Sequence, residues 1–164
     1  MNPRRLSEVL QARARTFRIV TLTGPRQAGK TTLCRAVFRD KPYVSLERPD
    51  VLAAVEADPV GFLARFPDGL VIDEVQRLPP LLSYLQVEVD ERPAPGRYIL
   101  TCSHNLHLLA AVSQSLAGRT ALLELLPLGQ EELEQFEGVP GELLGRLWSG
   151  AWPAVYDQRV PPHD

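Results

Sequence analysis

Cysteine is scarce in this chain, and long apolar runs are missing. The two cysteines, Cys34 and Cys102, are too few for a disulfide framework and too isolated for a zinc site. We therefore expect buried thiols in a reducing compartment. No stretch approaches the about 20 apolar residues of a membrane-spanning helix, and the basic start over residues 1–10 lacks the apolar core of a secretory signal. These absences predict a cytoplasmic protein without a membrane partner.

The apolar content, 45% of 164 residues, suffices for one sizeable buried core but hardly for two. We expect one domain over residues 1–136. After Gly138, glycines and prolines interrupt the pattern, and the only helical-looking cluster lies over residues 143–148. Residues 137–164 are therefore predicted to be a linker and the start of a truncated or absent C-terminal domain.

Charge is distributed unevenly although the formal net charge is only −2. Residues 1–39 hold nine Lys or Arg and one acidic residue. Residues 120–164 hold two Lys or Arg and eight acidic residues. Part of the basic excess would face bound phosphate. The remaining arginines would either contact nucleic acid or pair with the acidic C-terminal segment. They are Arg4, Arg5, Arg13, Arg15 and Arg18.

Hydrophobic periodicity predicts five strands that alternate with helices. The predicted strands lie over residues 17–23, 43–46, 70–74, 97–102 and 120–125. The predicted helices lie over residues 6–14, 31–38, 49–66 with a break at Asp58 and Pro59, 81–89, 106–116 and 131–136. Because the early strands are apolar without strict alternation, they are expected to be buried on both faces. This pattern predicts an α/β sheet that is covered by helices on both sides.

A glycine loop lies between the first predicted strand and the helix that follows it, and it fits the Walker A pattern G-x-x-x-x-G-K-S/T. Main-chain N–H groups of such a loop surround phosphate, and the start of the helix adds partial positive charge. Lys30 is expected to reach the β- and γ-phosphates of a nucleotide, and Thr31 to ligate Mg²⁺. The alternative is an ordinary glycine-rich turn before a lysine. The predicted nucleotide-binding residues are Gly24, Pro25, Arg26, Gln27, Ala28, Gly29, Lys30, Thr31 and Thr32.

Two carboxylates, Asp73 and Glu74, follow the apolar residues 70–72 at the end of the third predicted strand. Together with the glycine loop they form a Walker B arrangement, in which Asp73 helps to hold the metal ion beside Thr31. A carboxylate one residue further can polarise a water for attack on the γ-phosphate. Glu74 is therefore a predicted catalytic residue. Without the glycine loop, the same pattern would indicate a strand that leads into a solvated loop.

Polar residues over 101–105 follow the fourth predicted strand, where ligands bind in open α/β sheets. We expect Ser103 to contact the γ-phosphate or the attacking water. The alternative is that Ser103 or Asn105 caps the following helix. A metal site at His104 and His107 is the weaker interpretation, because no further ligands lie nearby in the sequence.

Arg119 follows the helix predicted over 106–116 and lies directly before the fifth strand. It is a candidate arginine finger, either on the nucleotide edge of the sheet or on a neighbouring subunit, since a guanidinium there would neutralise charge on the transferred phosphoryl group. The alternative is a surface ion pair.

Together these motifs resemble the prokaryotic AAA-type ATP-binding proteins that carry an uncharacterised C-terminal domain. The motifs lie at 24–32, 71–76, 100–105 and 115–119, in the order of that family. The resemblance implies a P-loop NTPase three-layer sandwich with a mostly parallel five-stranded sheet in the order 5-1-4-3-2. The family usually has glycine where this chain has Cys102. Residues 150–153 look like the opening of the C-terminal domain.

The resulting expectation is an AAA-like ATPase with Mg²⁺ as cofactor and ATP as substrate. A homo-oligomer is expected, because AAA-like sheets often hydrolyse ATP only when assembled, and a DNA or protein partner is left open. The alternatives are a nucleotide-dependent interaction or DNA-binding switch with little hydrolysis, and a P-loop kinase. Glu74 disfavours both, because neither needs an activated water.

Overall fold

A five-stranded sheet forms the centre of the molecule. The computed structural model describes residues 4–103, 112, 114–136 and 139–157. The strands are β1 Ile19–Gly24, β2 Tyr43–Ser45, β3 Leu70–Asp73, β4 Tyr98–Ser103 and β5 Thr120–Glu124. Their order is β2-β3-β4-β1-β5, and every pair is parallel. This confirms the predicted α/β sheet and its order 5-1-4-3-2.

Helices pack on the sheet and connect its strands. They are α1 Leu6–Ala14, α2 Lys30–Val37, α3 Pro49–Ala57, α4 Pro59–Ala64, α5 Leu81–Glu91, α6 Gln130–Leu133, α7 Leu143–Ser149 and α8 Pro153–Asp157. The predicted break at Asp58 is confirmed, because its side chain accepts a hydrogen bond from the Gly61 N–H at 2.8 Å and so starts a new helix. None of the helices in the described ranges is long and apolar enough to cross a membrane.

Two apolar cores lie on opposite faces of the sheet. Alternate residues of one strand enter different cores: Leu100 belongs to the core beneath α3, α4 and α5, whereas Ile99 belongs to the core beneath α1 and α2. All residues of β1 and β3 are buried. The continuous apolar runs in the sequence arise because both faces of these strands are covered.

The observed elements differ from the predicted ones at two informative places. The strand β3 ends at Asp73, one residue early, because Glu74 adopts a left-handed conformation with φ of 58°. The helix α8 was not predicted, since Pro153 was interpreted as a breaker, yet proline is well suited to the first position of a helix. The helix expected over 106–116 lies mostly outside the described residues.

Gly69, directly before β3, lies at a crowded position of the backbone. Its φ is 81°, and a Cβ atom there would overlap the carbonyl oxygen of Arg97. Gly118 provides a contrast, because it has a similar φ of 71° but, among the described residues, no atom within 4 Å of the same position. An alanine at Gly118 would therefore meet only the cost of a left-handed backbone, whereas an alanine at Gly69 would also clash with a neighbouring carbonyl group.

We predict that Gly118→Ala lowers the free energy of unfolding by about 1 kcal/mol, the penalty of a left-handed alanine. Gly69→Ala should lower it by at least about 3 kcal/mol, because the carbonyl of Arg97 must also move. Urea denaturation followed by circular dichroism measures both. Equal losses in the two variants would contradict the assignment of Gly69 as a crowded position.

Candidate functional site

The predicted site residues other than Arg119 meet at the carboxyl edge of the sheet. All five strands run in the same direction, so the ends of β1, β3 and β4 lie side by side. In the register of β1 and β4, Gly24 lies opposite Ser103. Asp73 is the last residue of β3. The glycine loop, the two carboxylates and Ser103 are thus brought together although they are far apart in the sequence.

The glycine loop turns sharply between β1 and α2. Gly24 has a φ of 151°, and a Cβ atom there would overlap the carbonyl oxygen of Leu125. The loop therefore packs directly against the chain that leaves β5. Gln27 also adopts a left-handed conformation, with φ of 63°. The helix α2 begins at Lys30 with no side-chain cap, so its first N–H groups are available to an anion at this end.

Lys30 is buried inside the loop, with 5% of its surface exposed. Its Nζ donates hydrogen bonds to the carbonyl oxygens of Gly24, at 3.0 Å, and Pro25, at 2.8 Å. Burial lowers the pKa of this ammonium, and the nearby carboxylate of Glu74 opposes that shift. The loop thus holds a positive charge among its own carbonyl groups, next to the carboxylates of β3.

Asp73 lies at the centre of the site and is 4% exposed. The hydroxyl of Thr31 donates to its carboxylate at 3.1 Å, and the phenol of Tyr43 donates to Oδ2 at 2.6 Å. Thr101 also donates to Asp73. Burial and the hydrogen bond to Asp73 raise the pKa of Tyr43, so the phenol keeps its proton at neutral pH. Three hydroxyl groups therefore satisfy one buried carboxylate.

The oxygen donors of Thr31 and Asp73 fit Mg²⁺. This ion prefers oxygen ligands and is usually held by few protein groups together with the phosphates of its substrate. A hydroxyl and a carboxylate within hydrogen-bond distance, next to a loop of phosphate-binding type, provide such a donor set. Thr31 and Asp73 are the residues that would hold the ion.

Three residues form hydrogen bonds with Glu74. Its N–H donates to the hydroxyl of Thr101 at 3.2 Å, while its carboxylate accepts hydrogen bonds from Ser103, at 3.3 and 3.4 Å, and from Gln76. Its left-handed backbone costs about 1 kcal/mol. Such strain persists where the surroundings overdetermine a conformation, as these contacts do here.

The family assignment follows from the sequence comparison. A profile described as an AAA domain matches residues 16–134, which is most of the chain. The chain belongs to this AAA domain family.

Two curated relatives support the same assignment. The uncharacterized proteins Rv2008c of Mycobacterium tuberculosis and Mb2031c of Mycobacterium bovis are each 37% identical over 143 residues, covering 86% of this chain and 31% of theirs. The chain thus spans about a third of the length of these relatives.

Solved structures share the fold. The Walker-type ATPase PABY2304 of Pyrococcus abyssi is similar with a TM-score of 0.53 and 15% identity, over 82% of this chain and 56% of that one. Domain III of the replication initiation protein DnaA from Thermotoga maritima has a TM-score of 0.52 and 18% identity, over 78% of this chain and 64% of that one. At such identities these likenesses show the fold of the AAA domain and nothing more.

Ser103 contacts Glu74 in this AAA domain, so its hydroxyl is directed at the predicted catalytic carboxylate. The alternative residue Asn105 and the histidine pair, His104 and His107, lie outside the described residues. The neighbouring Cys102 is buried, and burial raises the pKa of its thiol. The departure from glycine at this position therefore places an unreactive thiol beneath the site.

Arg119 does not lie on the nucleotide edge of its own sheet, so this part of the prediction was wrong. The residue precedes β5, and its carbonyl accepts from the N–H of Ile19 at the start of β1. Both strand starts lie at the edge opposite the glycine loop. The guanidinium forms two hydrogen bonds with Asp90, at 2.8 and 2.7 Å, and Arg119 lowers the pKa of that exposed carboxyl.

Two of the five N-terminal arginines are paired with acids of the C-terminal part, which agrees with one of the two interpretations of the charge pattern for these two residues. Arg4 contacts Glu132 and Arg5 contacts Glu131, both in the acidic C-terminal part. Arg18 contacts Asp90 instead.

Sequence reasoning assigned no individual role to three residues of the site: Tyr43, Gln76 and Thr101. Thr101 could have been found, because it is a polar residue two positions before Ser103 on the same face of a buried strand. Gln76 follows Glu74 within the 3₁₀ turn Val75–Arg77. Tyr43 leaves no sequence signal, since only the pairing of β2 with β3 places its phenol at Asp73.

We predict that Tyr43→Phe lowers the free energy of unfolding by about 1.5 kcal/mol, because a buried carboxylate loses a hydrogen-bond donor. Thermal and urea unfolding measure the change. Tyr84→Phe on α5 is the matched control: Tyr84 is 41% exposed, and the change should stay within about 0.5 kcal/mol. Equal effects at the two tyrosines would show that the phenol of Tyr43 does not support Asp73.

Proposed function

We propose that this AAA domain binds Mg-ATP at the glycine loop and hydrolyses it. One observation carries the proposal: Lys30, the Thr31–Asp73 pair and the Glu74–Ser103 pair converge at one edge of the sheet. Each element alone has an ordinary structural explanation. Their combination provides phosphate binding, a metal site and a held carboxylate within one small region.

The glycine loop supplies the binding energy for the polyphosphate. Its main-chain N–H groups and the start of α2 offer partial positive charge, and Lys30 adds a full charge. The nine residues from Gly24 to Thr32 are proposed to contact the nucleotide. Arg26, Gln27 and Thr32 are exposed at this surface, so their side chains are accessible to it.

Thr31 and Asp73 are proposed to hold Mg²⁺. When bound, this ion neutralises charge on the phosphate oxygens and orients them for in-line attack. The hydroxyl of Thr31 and the carboxylate of Asp73 already contact each other, so both oxygen donors lie side by side at the proposed metal site.

Glu74 is proposed to accept a proton from the attacking water. Ser103 and Gln76 hold its carboxylate, and the hydroxyl of Ser103 is a candidate contact for the γ-phosphate. A kinase transfers phosphate to a substrate hydroxyl, and a nucleotide-dependent switch has no need of rapid attack by water. A carboxylate held at this position therefore favours hydrolysis.

We predict that Lys30→Ala abolishes detectable binding of Mg-ATP, because the loop loses its only buried ammonium. Glu74→Gln should bind Mg-ATP with near wild-type affinity but release phosphate at least about 100-fold more slowly. Calorimetry and phosphate release, each measured across protein concentration with and without DNA, provide the readouts.

Glu56→Gln, at an exposed position on α3, is the matched control and should leave both quantities unchanged. Wild-type turnover in Glu74→Gln would remove its proposed role, and a switch with little hydrolysis would then explain the site better. Absence of nucleotide binding in the folded wild-type protein would overturn the whole proposal.

Arg119 is proposed to act on the site of a neighbouring copy. Its position at the edge opposite the glycine loop leaves the cis role without support, while the exposed pairing with Asp90 can be exchanged for phosphate. An assembly of this chain would place such a guanidinium beside the γ-phosphate of the next subunit.

We predict that Arg119→Ala and Lys30→Ala are each inactive alone and recover phosphate release when mixed. In mixed assemblies the Lys30→Ala subunit still supplies Arg119 to an intact glycine loop. Arg18→Ala is the matched control, because Arg18 contacts the same Asp90 at 3.1 Å, and it should remain active without a partner. Full activity of Arg119→Ala alone at every concentration would contradict the trans role.

A further inference from the structure

The guanidinium of Arg4 connects three parts of the chain from a buried position. Arg4 is 9% exposed. Its Nη1 donates to the carbonyl of Ala28 in the glycine loop at 2.9 Å, and its Nη2 donates to the carbonyl of Leu126 after β5 at 2.7 Å. Its Nε donates to Oε1 of Glu132 at 3.0 Å. We call these four residues the Arg4 clamp.

Glu132 completes the clamp with both of its carboxylate oxygens. Besides Arg4, it accepts hydrogen bonds from the main-chain N–H groups of Arg5 and Gly129, each at 2.9 Å. Burial alone would raise the pKa of this carboxyl, but these two N–H groups and Arg4 outweigh burial and lower it. The carboxylate is therefore charged at neutral pH and balances the buried guanidinium.

The contact with Ala28 acts on a peptide group of the glycine loop. In a trans peptide the C=O and the following N–H point to opposite sides. Arg4 binds the carbonyl of Ala28, so the N–H of Gly29 is directed away from the arginine. Gly29 directly precedes Lys30, and an N–H at this position is of the kind that a phosphate-binding loop presents to its ligand.

The other end of the clamp lies in the chain beyond the sheet. The N–H of Leu128 donates to the carbonyl of Ala151 at 2.7 Å, which ties the 126–132 segment to the start of α8. Pro153 also lies near the loop, because a Cβ atom on Gly29 would be 3.9 Å from its Cγ. Arg4 therefore links the chain that follows β5 to the glycine loop, and Pro153 lies near Gly29.

We propose that Arg4 is a positioning residue that orients the Ala28–Gly29 peptide for phosphate and couples occupancy of the loop to the 126–132 segment. The inference rests on the proposed nucleotide binding. Coupling is reciprocal, so breaking the clamp should weaken nucleotide binding, and nucleotide should stabilise the clamp. A fold-stabilising ion pair without coupling would do neither.

The test compares wild-type protein with Arg4→Ala and Glu132→Gln, using the non-hydrolysable analogue Mg-AMP-PNP. Calorimetry gives its affinity, and hydrogen exchange reports on peptides that cover 24–31 and 126–133. In the wild-type protein the analogue should slow exchange in both. In Arg4→Ala the affinity should fall on the order of 10-fold. At saturation the protection of 24–31 should persist, whereas that of 126–133 should be lost.

Arg5→Ala is the matched control, because its ion pair with Glu131 is exposed, with 73% and 70% of the two side chains accessible. It should behave as the wild-type protein does. Glu132→Gln keeps the shape of the clamp without its charge and should reproduce the loss of coupling if Arg4→Ala fails to fold.

Two results would overturn the inference. One is unchanged affinity and unchanged protection of 126–133 in a folded clamp variant. The other is faster exchange in the 126–133 peptides with unchanged affinity, which would make the clamp a purely structural contact. Failure of the wild-type protein to bind the analogue would instead remove the proposed function, and this inference with it.

Discussion

The burial of Lys30 and Asp73 at the end of an apolar sheet is the constraint on which the rest of the site depends. A charge removed from water is costly unless hydrogen bonds and nearby charges compensate it. Two loop carbonyls hold the ammonium, and three hydroxyl groups hold the carboxylate. The glycine loop supplies the carbonyl groups around Lys30. Strand β2 supplies the phenol of Tyr43, and β4 supplies the hydroxyl of Thr101, both to Asp73.

Parallel strands explain both the success and the error of the site prediction. Residues that end strands share one edge of the sheet, which is why Asp73, Glu74 and Ser103 meet the glycine loop. A residue that begins a strand lies at the other edge, which is why Arg119 is far from it. In this AAA domain the same rule separates Arg119 from the glycine loop of its own chain.

The Arg4–Glu132 pair joins the N-terminal residues to the segment after β5 beside the glycine loop. The residues are 128 positions apart, and both are more than nine-tenths buried. Removing one partner of such a pair leaves an uncompensated charge, which typically costs about 3–5 kcal/mol. Through Arg4 the glycine loop is linked to the segment beyond β5.

The amino-acid sequence by itself determined the strand pattern, the glycine loop, the pair Asp73 and Glu74, and the strand order through its family resemblance. Local periodicity and short motifs carry this information, because each depends on neighbours within a few positions. Tertiary structure alone decided that Arg119 pairs with Asp90, that Tyr43 supports Asp73, and that Arg4 holds the loop. These contacts join residues 24 to 128 positions apart, and their partners are selected by packing and register, which no local pattern records.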